Sequence, residues 1–452
     1  MSGLEQTIPD GYQLTEVGVI PDDWKCINFG ELGDVVRGGS PRPAGDPKYF
    51  NGKYIPWLTV ASLTNIKSSE QVVTSTKTML TQLGSLQSRI LESGTLIISN
   101  SGATLGVAKI LGLKCCANDG VAALINKKKG DTSFLVHYLN TQTKRLHDEV
   151  ATGNGQPNLN TDLIKSIPIP FPSEEEQTAI ANALSDVNAL LGELDKLISK
   201  KQAIKTATIQ QLLTGKTRLP AFVKYENGES SNHIEENNLP NQVGSAPDGW
   251  GLVTLGQDAT LKARIGWQAL TTKEYLEFGP RLLVTGTDFN AGLVDWNSCC
   301  YVSEWRYKQD SNIQLREGDV LVTKDGTIGK VGYVSKLPLE ATLNSGVFVI
   351  RPKNKKFVPK FLFYVLNSSI FTDFIRAITA GSTITHLYQR DFVNFGFYAP
   401  AEEEQTAIAT ILSDMDEEIQ ALKQRLSKTR QIKQGMMQEL LTGRTRLPFD
   451  KE

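Results

Sequence analysis

A tandem internal repeat limits the fold of this chain more than any other sequence feature. The segment PSEEEQTAIANALSDV, which begins at Pro172, returns as PAEEEQTAIATILSDM at Pro400. The match continues without a gap, at a constant offset of 228, to LLTGKTRLP and LLTGRTRLP. A second pair of motifs, Pro21–Trp24 and Pro247–Trp250, opens the two halves. Because the sequences between these motifs differ, the repeat predicts two copies of one structural frame around two divergent interiors.

The repeated segments have the apolar spacing of long coiled-coil helices, with steps that alternate between four and three residues. The predicted seam consists of Ile180, Leu184, Val187, Leu191, Leu194 and Ile198 in the first copy and Ile408, Leu412, Met415, Ile419, Leu422 and Leu426 in the second. Ser173 and Glu176 have the spacing of a capping box, and Gly215 and Gly443 stand where helices are expected to end. Either helix alone would also fit the core of a bundle, but equal length and matching seams favour mutual antiparallel packing. The expected length is about 40 residues each, or roughly 60 Å.

The interiors are predicted to be β-rich domains with some helix. Two helices are predicted at Thr132–Asn140 and Val358–Asn367, and short apolar or β-branched runs predict strands. These strands are Tyr54–Val60, Gly94–Ser99, Val121–Ile125, Lys165–Phe171, Arg281–Val284, Asp319–Thr323, Lys330–Val334, Val347–Arg351 and Val393–Tyr398. The polar segment Tyr225–Asn241 predicts a solvated linker. The predicted fold class is α/β (α+β), with two β-rich globular domains joined by two long antiparallel coiled-coil helices in a tandem pseudo-twofold repeat.

The repeat boundaries also divide the charge of the chain. They separate an N-terminal arm (1–24), a first domain (25–171), a spacer helix (172–220), a linker (221–250), a second domain (251–399) and a C-terminal spacer helix (400–448). The overall net charge of -1 argues against a polyanionic partner. However, the first domain has 16 basic and 10 acidic residues and the second 17 and 13, which gives net charges of +6 and +4. Both domains are therefore basic enough to permit DNA binding.

The sequence contains no catalytic constellation. Gly215–Thr217 (GKT) lacks the glycine that a P-loop requires at position 210, and Gly326–Lys330 (GTIGK) lacks the spacing and the following Ser or Thr. Dinucleotide, metalloprotease and α/β-hydrolase motifs are missing, and the acidic run Glu174–Glu176 suits a first helical turn better than a carboxylate site. The five Cys have no C-x-x-C spacing and the four His are scattered, so no metal site is expected. Without a signal peptide or an apolar run of membrane length, we expect a cytoplasmic, non-enzymatic protein.

Polar loops at matching places in the two interiors are candidate DNA contacts. Arg suits guanine edges, Asn and Gln suit adenine, and Trp can stack on a base. The candidates are Arg37, Ser40, Arg42, Asn100, Ser101, Asn154, Gln156 and Asn158 in the first domain and Lys262, Arg264, Trp267, Gln268, Lys324, Asp325, Thr327, Thr383, Thr385 and His386 in the second. Each loop alone could be a solvated turn, but three loops in the same order in both halves favour a binding role.

These motifs together resemble the specificity subunit of type I restriction–modification systems, the HsdS family. The family pattern comprises P-D-x-W, a variable region with two spaced glycines, P-x-E-E-Q-x-x-I and a long helix that ends in L-L-T-G-x-x-R. The matching segments are Pro21–Trp24, Gly94–Gly102, Pro172–Ile180 and Leu212–Arg218, and again Pro247–Trp250, Gly318–Gly326, Pro400–Ile408 and Leu440–Arg446. The resemblance covers nearly the whole chain.

The resemblance implies that each domain is a target recognition domain that reads one half of a bipartite site in double-stranded DNA. The helices would hold the domains apart and dock two adenine-N6 methyltransferase subunits, and a restriction/translocase subunit would join the complex. S-adenosylmethionine, ATP and Mg are then expected on those partners only, with no cofactor on this chain and no membrane partner. The alternative is a non-catalytic protein-interaction scaffold with two binding modules on a coiled-coil spacer. Steep salt dependence of binding would distinguish DNA from an apolar protein interface.

Overall fold

The computed structural model describes residues 8–102, 104–151, 157–223, 225–226, 229–230, 234–235, 246–266, 269–379 and 386–448. The chain divides into two compact units. Unit 1 comprises the chain up to Ile198 together with the segment from Leu422 onward, and unit 2 comprises Ser199–Ala421. Each unit therefore contains one of the predicted recognition domains and a part of each long helix.

In the first half of the chain, the strands are β1 (Tyr12–Thr15), β2 (Gly18–Pro21), β3 (Lys25–Asn28), β4 (Asp34–Arg37), β5 (Phe50–Leu58), β6 (Val72–Val73), β7 (Thr78–Leu80), β8 (Arg89–Leu91), β9 (Leu96–Ser99), β10 (Ala108–Leu111), β11 (Cys115–Ala117), β12 (Val121–Ile125) and β13 (Pro168–Phe171). The helices are α1 (Val60–Thr64), α2 (Gln82–Ser85), α3 (Thr132–Thr141), α4 (Thr143–Arg145), α5 (Thr161–Lys165) and α6 (Glu174–Leu212).

In the second half, the strands are β14 (Tyr225–Glu226), β15 (Glu229–Ser230), β16 (Ile234–Glu235), β17 (Ala246–Pro247), β18 (Gly251–Thr254), β19 (Ala259–Ala263), β20 (Arg281–Val284), β21 (Phe289–Asn290), β22 (Leu293–Val294), β23 (Cys300–Val302), β24 (Val320–Thr323), β25 (Val331–Tyr333), β26 (Ala341–Leu343), β27 (Val347–Pro352) and β28 (Gly396–Ala399). The helices are α7 (Leu255–Asp258), α8 (Glu304–Lys308), α9 (Pro359–Leu366), α10 (Ser369–Thr379), α11 (Gln389–Phe392) and α12 (Glu402–Leu440).

The two units share a sheet topology although their interior sequences differ. The main sheet has the order β4-β12-β9-β10-β6 in unit 1 and β19-β27-β24-β25-β22-β21 in unit 2. A second sheet has the order β7-β5-β11-β8 in unit 1 and β23-β20-β26 in unit 2. The first and last strands of each predicted domain also pair, β3 with β13 and β18 with β28. The duplication inferred from the frames therefore extends to the strand order of the interiors.

The second strand of each main sheet is buried on both faces. In β12, Ala122 and Leu124 belong to the core that contains α3, whereas Val121 and Ala123 belong to the core beneath the second sheet. In β27, Phe348 and Ile350 likewise face the core of α9, and Val347 and Val349 face the opposite core. Successive side chains of a strand point to opposite faces, so a strand covered on both sides is a continuous apolar run. This burial explains why β12 and β27 were predicted from the sequence.

The described pieces of the predicted linker form short paired strands. β14 pairs with β15, and β16 pairs with β17, each as a short antiparallel ladder. The second pairing, Ile234 with Pro247, resembles the pairing of Tyr12 with Pro21 at the start of unit 1. The end of the linker therefore repeats the hairpin that precedes the first domain.

The two predicted long helices are confirmed, and each spans 39 residues. They run antiparallel within each unit. In unit 1, Asp195 of α6 lies 3.7 Å from Arg430 of α12. In unit 2, Lys201 pairs with Glu418 at 2.7 Å and Lys205 pairs with Asp416, so the residue number falls on one helix as it rises on the other.

The apolar seam between the helices is shorter than the spacing predicts. The seam residues at the start of each helix lie in the core of the adjacent domain: Ile180 and Leu184 in unit 1, and Ile408, Leu412 and Met415 in unit 2. A mutual apolar cluster remains in unit 1, formed by Val187, Leu191, Leu194, Ile198, Leu422 and Leu426. Ile419 is also buried, in unit 2. The first residues of the heptad pattern therefore pack against a domain, and the later residues pack against the other long helix.

The glutamine of the repeated E-E-E-Q motif attaches the start of each long helix to its domain. In unit 1, Gln177 accepts a hydrogen bond from the backbone N–H of Asp131 (2.9 Å) and donates to the carbonyl of Pro172 (2.9 Å). In unit 2, Gln405 accepts from the N–H of Val358 and donates to the carbonyl of Pro400, both at 2.8 Å. The motif is present in both copies because both domains require this attachment.

The last glutamate of the same motif binds the arginine of L-L-T-G-x-x-R. In unit 1, the buried carboxylate of Glu176 pairs with Arg446 and accepts a hydrogen bond from the indole N–H of Trp24 at 3.1 Å. In unit 2, Glu404 pairs with Arg218. The Ser173 hydroxyl does cap α6 by accepting from the N–H of Glu176 (3.3 Å). The predicted capping box is nevertheless wrong in its second half, because the Glu176 carboxylate is bound to Arg446 and Trp24 instead.

The glycine of the L-L-T-G motif is required by both its backbone and its surroundings. Gly443 has φ +69°, and a side-chain carbon there would lie 2.5 Å from the ring of Pro21. Gly215 has φ +66°, and the corresponding distance to Pro247 is 2.2 Å. Only glycine adopts this conformation readily and leaves room for the proline. The P-D-x-W and L-L-T-G motifs are thus two sides of one contact, present once in each unit.

Candidate nucleic-acid interface

Three loops that the sequence analysis singled out separately meet in one cleft of unit 1. The order β4-β12-β9 brings the end of β4, the start of β12 and the end of β9 to the same edge of the sheet. The cleft at this edge has a volume of about 330 Å³.

 

The cleft is lined by Arg37, Ser101, Asn118, Asp119, Gly120, Pro157 and Asn158. Three of these, Arg37, Ser101 and Asn158, were predicted DNA contacts. A concave site of this kind, with guanidinium and amide groups on its walls, has the chemistry that reads base edges.

Asp119 organises the first of the three loops. Its backbone carbonyl accepts a hydrogen bond from the Arg37 guanidinium, and its carboxylate accepts one from the Ser40 hydroxyl at 2.7 Å. The Arg42 guanidinium lies 3.7 Å from the same carboxylate, with 72% of its side chain exposed. Asp119 therefore holds Arg37 and Ser40 in place and leaves Arg42 largely available to a ligand.

The second and third loops are joined by backbone contacts. Ser101 and Asn158 form an isolated antiparallel bridge, and the N–H of Leu159 donates to the carbonyl of Asn100 at 2.8 Å. The side-chain oxygens of Asn118 and Asn158 have no hydrogen-bond partner among the described residues. Asn100 is only 1% exposed, so it supports the cleft from behind and does not line it.

Unit 2 repeats this backbone arrangement with different side chains. The N–H of Leu387 donates to the carbonyl of Lys324 (2.8 Å), and the N–H of Lys324 donates to the carbonyl of Gly346 (2.9 Å). In unit 1, the corresponding bonds run from Leu159 to Asn100 (2.8 Å) and from Asn100 to Gly120 (2.9 Å). Asp325 and His386 form the isolated bridge that Ser101 and Asn158 form in unit 1. One backbone scaffold thus presents two different sets of side chains.

The side chains in unit 2 are aromatic and charged. His386 is hydrogen-bonded through Nδ1 to the carboxylate of Asp325, and its ring lies 4.7 Å from that of Tyr388. The Arg390 guanidinium lies 5.0 Å from the Tyr388 ring, so three flat groups follow one another. Tyr388 is 45% exposed. Exposed flat groups of this kind can stack on bases or lie along phosphates.

Lys324 and Thr327 lie on the loop after β24. Lys324 is half-buried, with its ammonium 5.3 Å from the centre of the Phe348 ring, and burial lowers the pKa of Lys324. Thr327 is exposed, and its carbonyl accepts a hydrogen bond from the Thr323 hydroxyl. Both positions remain predicted contacts.

Arg264 does not occupy the position that a base contact requires. It is 1% exposed, and its guanidinium donates to the carbonyl of Leu343 at 2.8 Å and to the Thr342 hydroxyl at 3.1 Å. The prediction for Arg264 is therefore wrong for this structure, because the side chain is enclosed and hydrogen-bonded in the core. Its neighbour Lys262 is exposed. The predicted contacts Asn154, Gln156, Trp267, Gln268, Thr383 and Thr385 lie outside the described residues.

Four residues at these sites were not predicted from the sequence: Asn118 and Asp119 in unit 1, and Tyr388 and Arg390 in unit 2. A signal for the first pair was present, because A-N-D-G-V at Ala117 returns as L-N-S-G-V at Leu343. This short echo has the offset of 226 that the P-D-x-W motifs have. Tyr388 and Arg390 have no comparable echo, and they lie two and four residues after the predicted contact His386.

Comparison with known proteins decides the family. A profile of the type I restriction modification DNA specificity domain matches residues 21–206 and 270–431, which together are well over half of the chain. The chain belongs to this family. The specificity family consists of non-catalytic DNA-recognition subunits, and its two matched segments correspond to the two halves of the repeat.

Several members of the specificity family are similar to this chain over nearly their whole length. The type I restriction enzyme MjaVIII specificity subunit of Methanocaldococcus jannaschii is 24% identical over 435 residues, which are 95% of this chain and 94% of that protein. The MjaIX specificity subunit of the same organism is 23% identical over 444 residues, 96% of each chain. The crystal structure of a type I restriction-modification S subunit from M. genitalium has a TM-score of 0.57 and 17% identity, and covers 97% of this chain and 98% of that one. The structural likeness shows a shared fold.

Two further observations describe what the chain contains. Among the described residues, no group of three or more His, Cys, Asp or Glu side chains is placed to hold a metal ion. Within the same residues, no single helix is long and apolar enough to cross a membrane. Among those residues, the helices Pro359–Leu366 and Ser369–Thr379 are long and apolar enough when they are counted together, and they are bent by 57° at the break between them.

Proposed function

We propose that this chain is the DNA-reading subunit of a type I restriction–modification complex and that each domain reads one half of a bipartite site. In this proposal the long helices fix the unread gap between the half-sites and dock adenine-N6 methyltransferase subunits. Those subunits would supply the methyl-group chemistry, and a restriction/translocase subunit would join the same assembly. Family membership supports the DNA-reading role.

The cleft of unit 1 gives the main structural support for the proposal. It places Arg37, Asn118 and Asn158 around one concave surface, and the side-chain oxygens of both asparagines have no partner within the described residues. Half-buried amides without partners are costly unless a ligand satisfies them. Asn pairs with adenine and Arg with guanine through their edges in the major groove. The cleft therefore has the groups that a base-reading surface needs.

The different side chains of unit 2 support a different half-site. Its Asp325–His386 pair and the neighbouring Tyr388 and Arg390 replace the amides of unit 1 on an equivalent backbone scaffold. Readers that differ in chemistry suit an asymmetric target. The net charges of +6 and +4 on the two domains agree with attraction to DNA.

The long helices have matched apolar positions for docking partners. Ile204 of α6 is 42% exposed and Ile432 of α12 is 49% exposed, and the two are equivalent in the repeat. Large apolar side chains exposed at equivalent positions suit two copies of one partner subunit. This supports the docking of two methyltransferase subunits, one for each copy of the frame.

The decisive experiment is to express the chain with its methyltransferase subunit and to map N6-methyladenine by modification-sensitive sequencing. We expect methylation at a single two-part motif. Replacement of Asn118 by Ala should change only one half of the motif, and the matched variant Asn344→Ala should change only the other. Exchange of residues 25–171 for those of a relative should replace one half entirely. Methylation without a motif, or a motif that the exchange leaves unchanged, would contradict the proposal and favour a protein-binding scaffold.

A further inference from the structure

The repeat gives each unit three equivalent side chains: a lysine of one long helix, a polar residue of the other long helix and a residue of the domain helix α3 or α9. In unit 2, the lysine and the domain residue both contact the polar residue. There, the Tyr364 hydroxyl contacts Asp416 at 3.0 Å and Ser413 at 3.1 Å. The Lys205 ammonium pairs with the same Asp416 carboxylate and lies 5.6 Å from the centre of the Tyr364 ring. The positive charge of Lys205 is therefore balanced inside unit 2.

The equivalent residues of unit 1 follow from the repeat. The long helices correspond at an offset of 228, so Asn188 replaces Asp416 and Lys433 replaces Lys205. The helices α3 and α9 correspond at an offset of 227, because the N–H groups of Asp131 and Val358 bind equivalent glutamines. His137 consequently replaces Tyr364. Unit 1 keeps the lysine but has an amide in place of the carboxylate.

The loss of the carboxylate leaves unit 1 without an internal partner for this lysine. Asn188 is 7% exposed and His137 is 2% exposed, and neither the amide of Asn188 nor Nε2 of His137 has a hydrogen-bond partner among the described residues. No ion pair of Lys433 occurs within that part of the chain. Burial lowers the pKa of Lys433, and burial together with the charge of Lys433 lowers the pKa of His137 to about 4. Within the described residues of unit 1, the Lys433 ammonium thus has no counterpart of the Asp416 carboxylate.

A cavity of about 490 Å³ opens beside Lys433 in unit 1. Lys67, Ser69, Arg430 and Gln434 also line it, and Asp195 is the one acidic residue on its wall within the described chain. Asp195 pairs with Lys67 at 3.0 Å and lies 3.7 Å from Arg430, so its charge is already engaged. The three basic groups around the cavity exceed the single carboxylate. The cavity shares no lining residue with the candidate DNA cleft of the same unit.

We propose that this cavity binds a small tetrahedral oxyanion of the phosphate type against Lys433. The bound anion supplies the counter-charge that Asp416 supplies in unit 2. Lys433, Arg430 and Ser69 line the cavity and can donate hydrogen bonds to the anion. Asn188 and His137 are enclosed and act only by providing no carboxylate. Ammonium and guanidinium groups form strong charge-assisted hydrogen bonds to such oxygens.

The proposal is tested on the full chain by isothermal titration with potassium phosphate, with potassium chloride at matched ionic strength as the reference. We expect saturable phosphate binding in the wild type and a loss of at least ~10-fold in affinity for Lys433→Gln. Asn188→Asp should weaken phosphate binding similarly, because it restores the carboxylate of unit 2. The matched variant Lys205→Gln should leave phosphate binding unchanged.

Thermal unfolding provides a second readout that does not depend on a single variant. Phosphate should raise the melting temperature of the wild type and not that of Asn188→Asp, which should be the more stable protein when phosphate is absent. Equal effects of phosphate and chloride, or equal phosphate binding by wild type, Lys433→Gln and Asn188→Asp, would overturn the proposal. The outcome is independent of DNA reading, because none of these variants alters the candidate cleft.

Discussion

At the scale of single residues, exposure separates a base contact from a structural arginine. Arg264 and Arg42 were both predicted contacts, yet Arg264 is 1% exposed whereas 72% of the Arg42 side chain is exposed. Arg264 donates to Leu343 and Thr342 within unit 2. Burial lowers the pKa of Arg264. The two hydrogen bonds hold its guanidinium in the core. Its contribution is therefore to stability.

We predict that Arg264→Met destabilises the protein and does not alter its DNA target. The cost should be about 1–3 kcal/mol for each buried acceptor that loses its donor. Urea unfolding measures this cost, and methylation mapping measures the target. The exposed neighbour provides the control: Lys262→Met should change stability by less than about 0.5 kcal/mol. A changed target with unchanged stability would show that Arg264 reaches the DNA after all.

A second prediction concerns the buried Lys109 of β10. Its ammonium donates to the carbonyls of Lys67 and Glu70, and burial lowers the pKa of Lys109 to about 8. Between pH 8 and the ordinary value of 10.5, the unfolded chain keeps this proton and the folded chain releases it. The contribution of Lys109 to the free energy of unfolding therefore rises with pH between about pH 8 and pH 10.5, and it is constant below about pH 8.

Urea unfolding of the wild type and Lys109→Met at several pH values tests this sign. We expect the unfolding free energy of the wild type, relative to the variant, to increase from pH 8 to pH 10. A difference that stays flat or falls would mean that Lys109 remains protonated in the folded protein.

The candidate site could be predicted from the sequence only in part. Arg37, Ser101 and Asn158 lie on the cleft because the loops that contain them follow or precede strands in matching order. Asp119 was missed because strand order, and not sequence distance, brings it beside Arg37 and Ser40, and Tyr388 was missed because it lies just beyond the predicted contact His386. Arg264 was assigned wrongly because composition does not reveal whether an arginine points into a core.

At the scale of elements, the ends of the long helices are held by matched ion pairs. Arg446 binds Glu176 and Asp23 in unit 1, and Arg218 binds Glu404 in unit 2. Both glutamate side chains are only 2% exposed. Removal of one partner from a buried pair leaves an uncompensated charge.

We predict that Arg446→Gln loosens unit 1 alone and that Arg218→Gln loosens unit 2 alone. Each change should cost about 3 kcal/mol. Hydrogen exchange measured by mass spectrometry should increase in β3 and β13 for the first variant and in β18 and β28 for the second. The double variant Glu176→Gln with Arg446→Gln should recover part of the loss, since no buried charge then remains. Increased exchange in both units after a single change would contradict the assignment.

Most of the elements were predictable, and the exceptions have a common cause. The long helices, α3, α9 and the central strands have either helical periodicity or continuous burial, so their patterns are visible in the sequence. The seam was predicted to be longer than it is, because Ile180 and Ile408 have the same spacing whether they face a helix or a domain. Short strands such as β6 and β22 depend on their neighbours and have too few residues to form a pattern.

At the scale of the whole molecule, the proposed ruler function of the helices can be tested by paired insertions. A heptad inserted after Ile198 in α6 and another after Ala421 in α12 would preserve the described contacts within each unit. Seven residues add about 10 Å of helix, or roughly three base pairs of DNA. We predict that the unread gap lengthens by about this amount while both half-sites stay the same.

Methylation mapping with the methyltransferase subunit reads the gap directly. An insertion in α6 alone is the control, and it should destabilise the protein because the two helices lose their register. A gap that keeps its length after the paired insertion would exclude the helices as the ruler.

The division of the chain between the units has a consequence for synthesis on the ribosome. Unit 2 is one continuous segment, whereas unit 1 needs Leu440, Leu441 and Arg446 from the end of the chain for its core and its ion pair. Domains usually fold in the order in which they are translated. In this protein the domain translated first lacks part of its core until Leu440 and Leu441 have been translated.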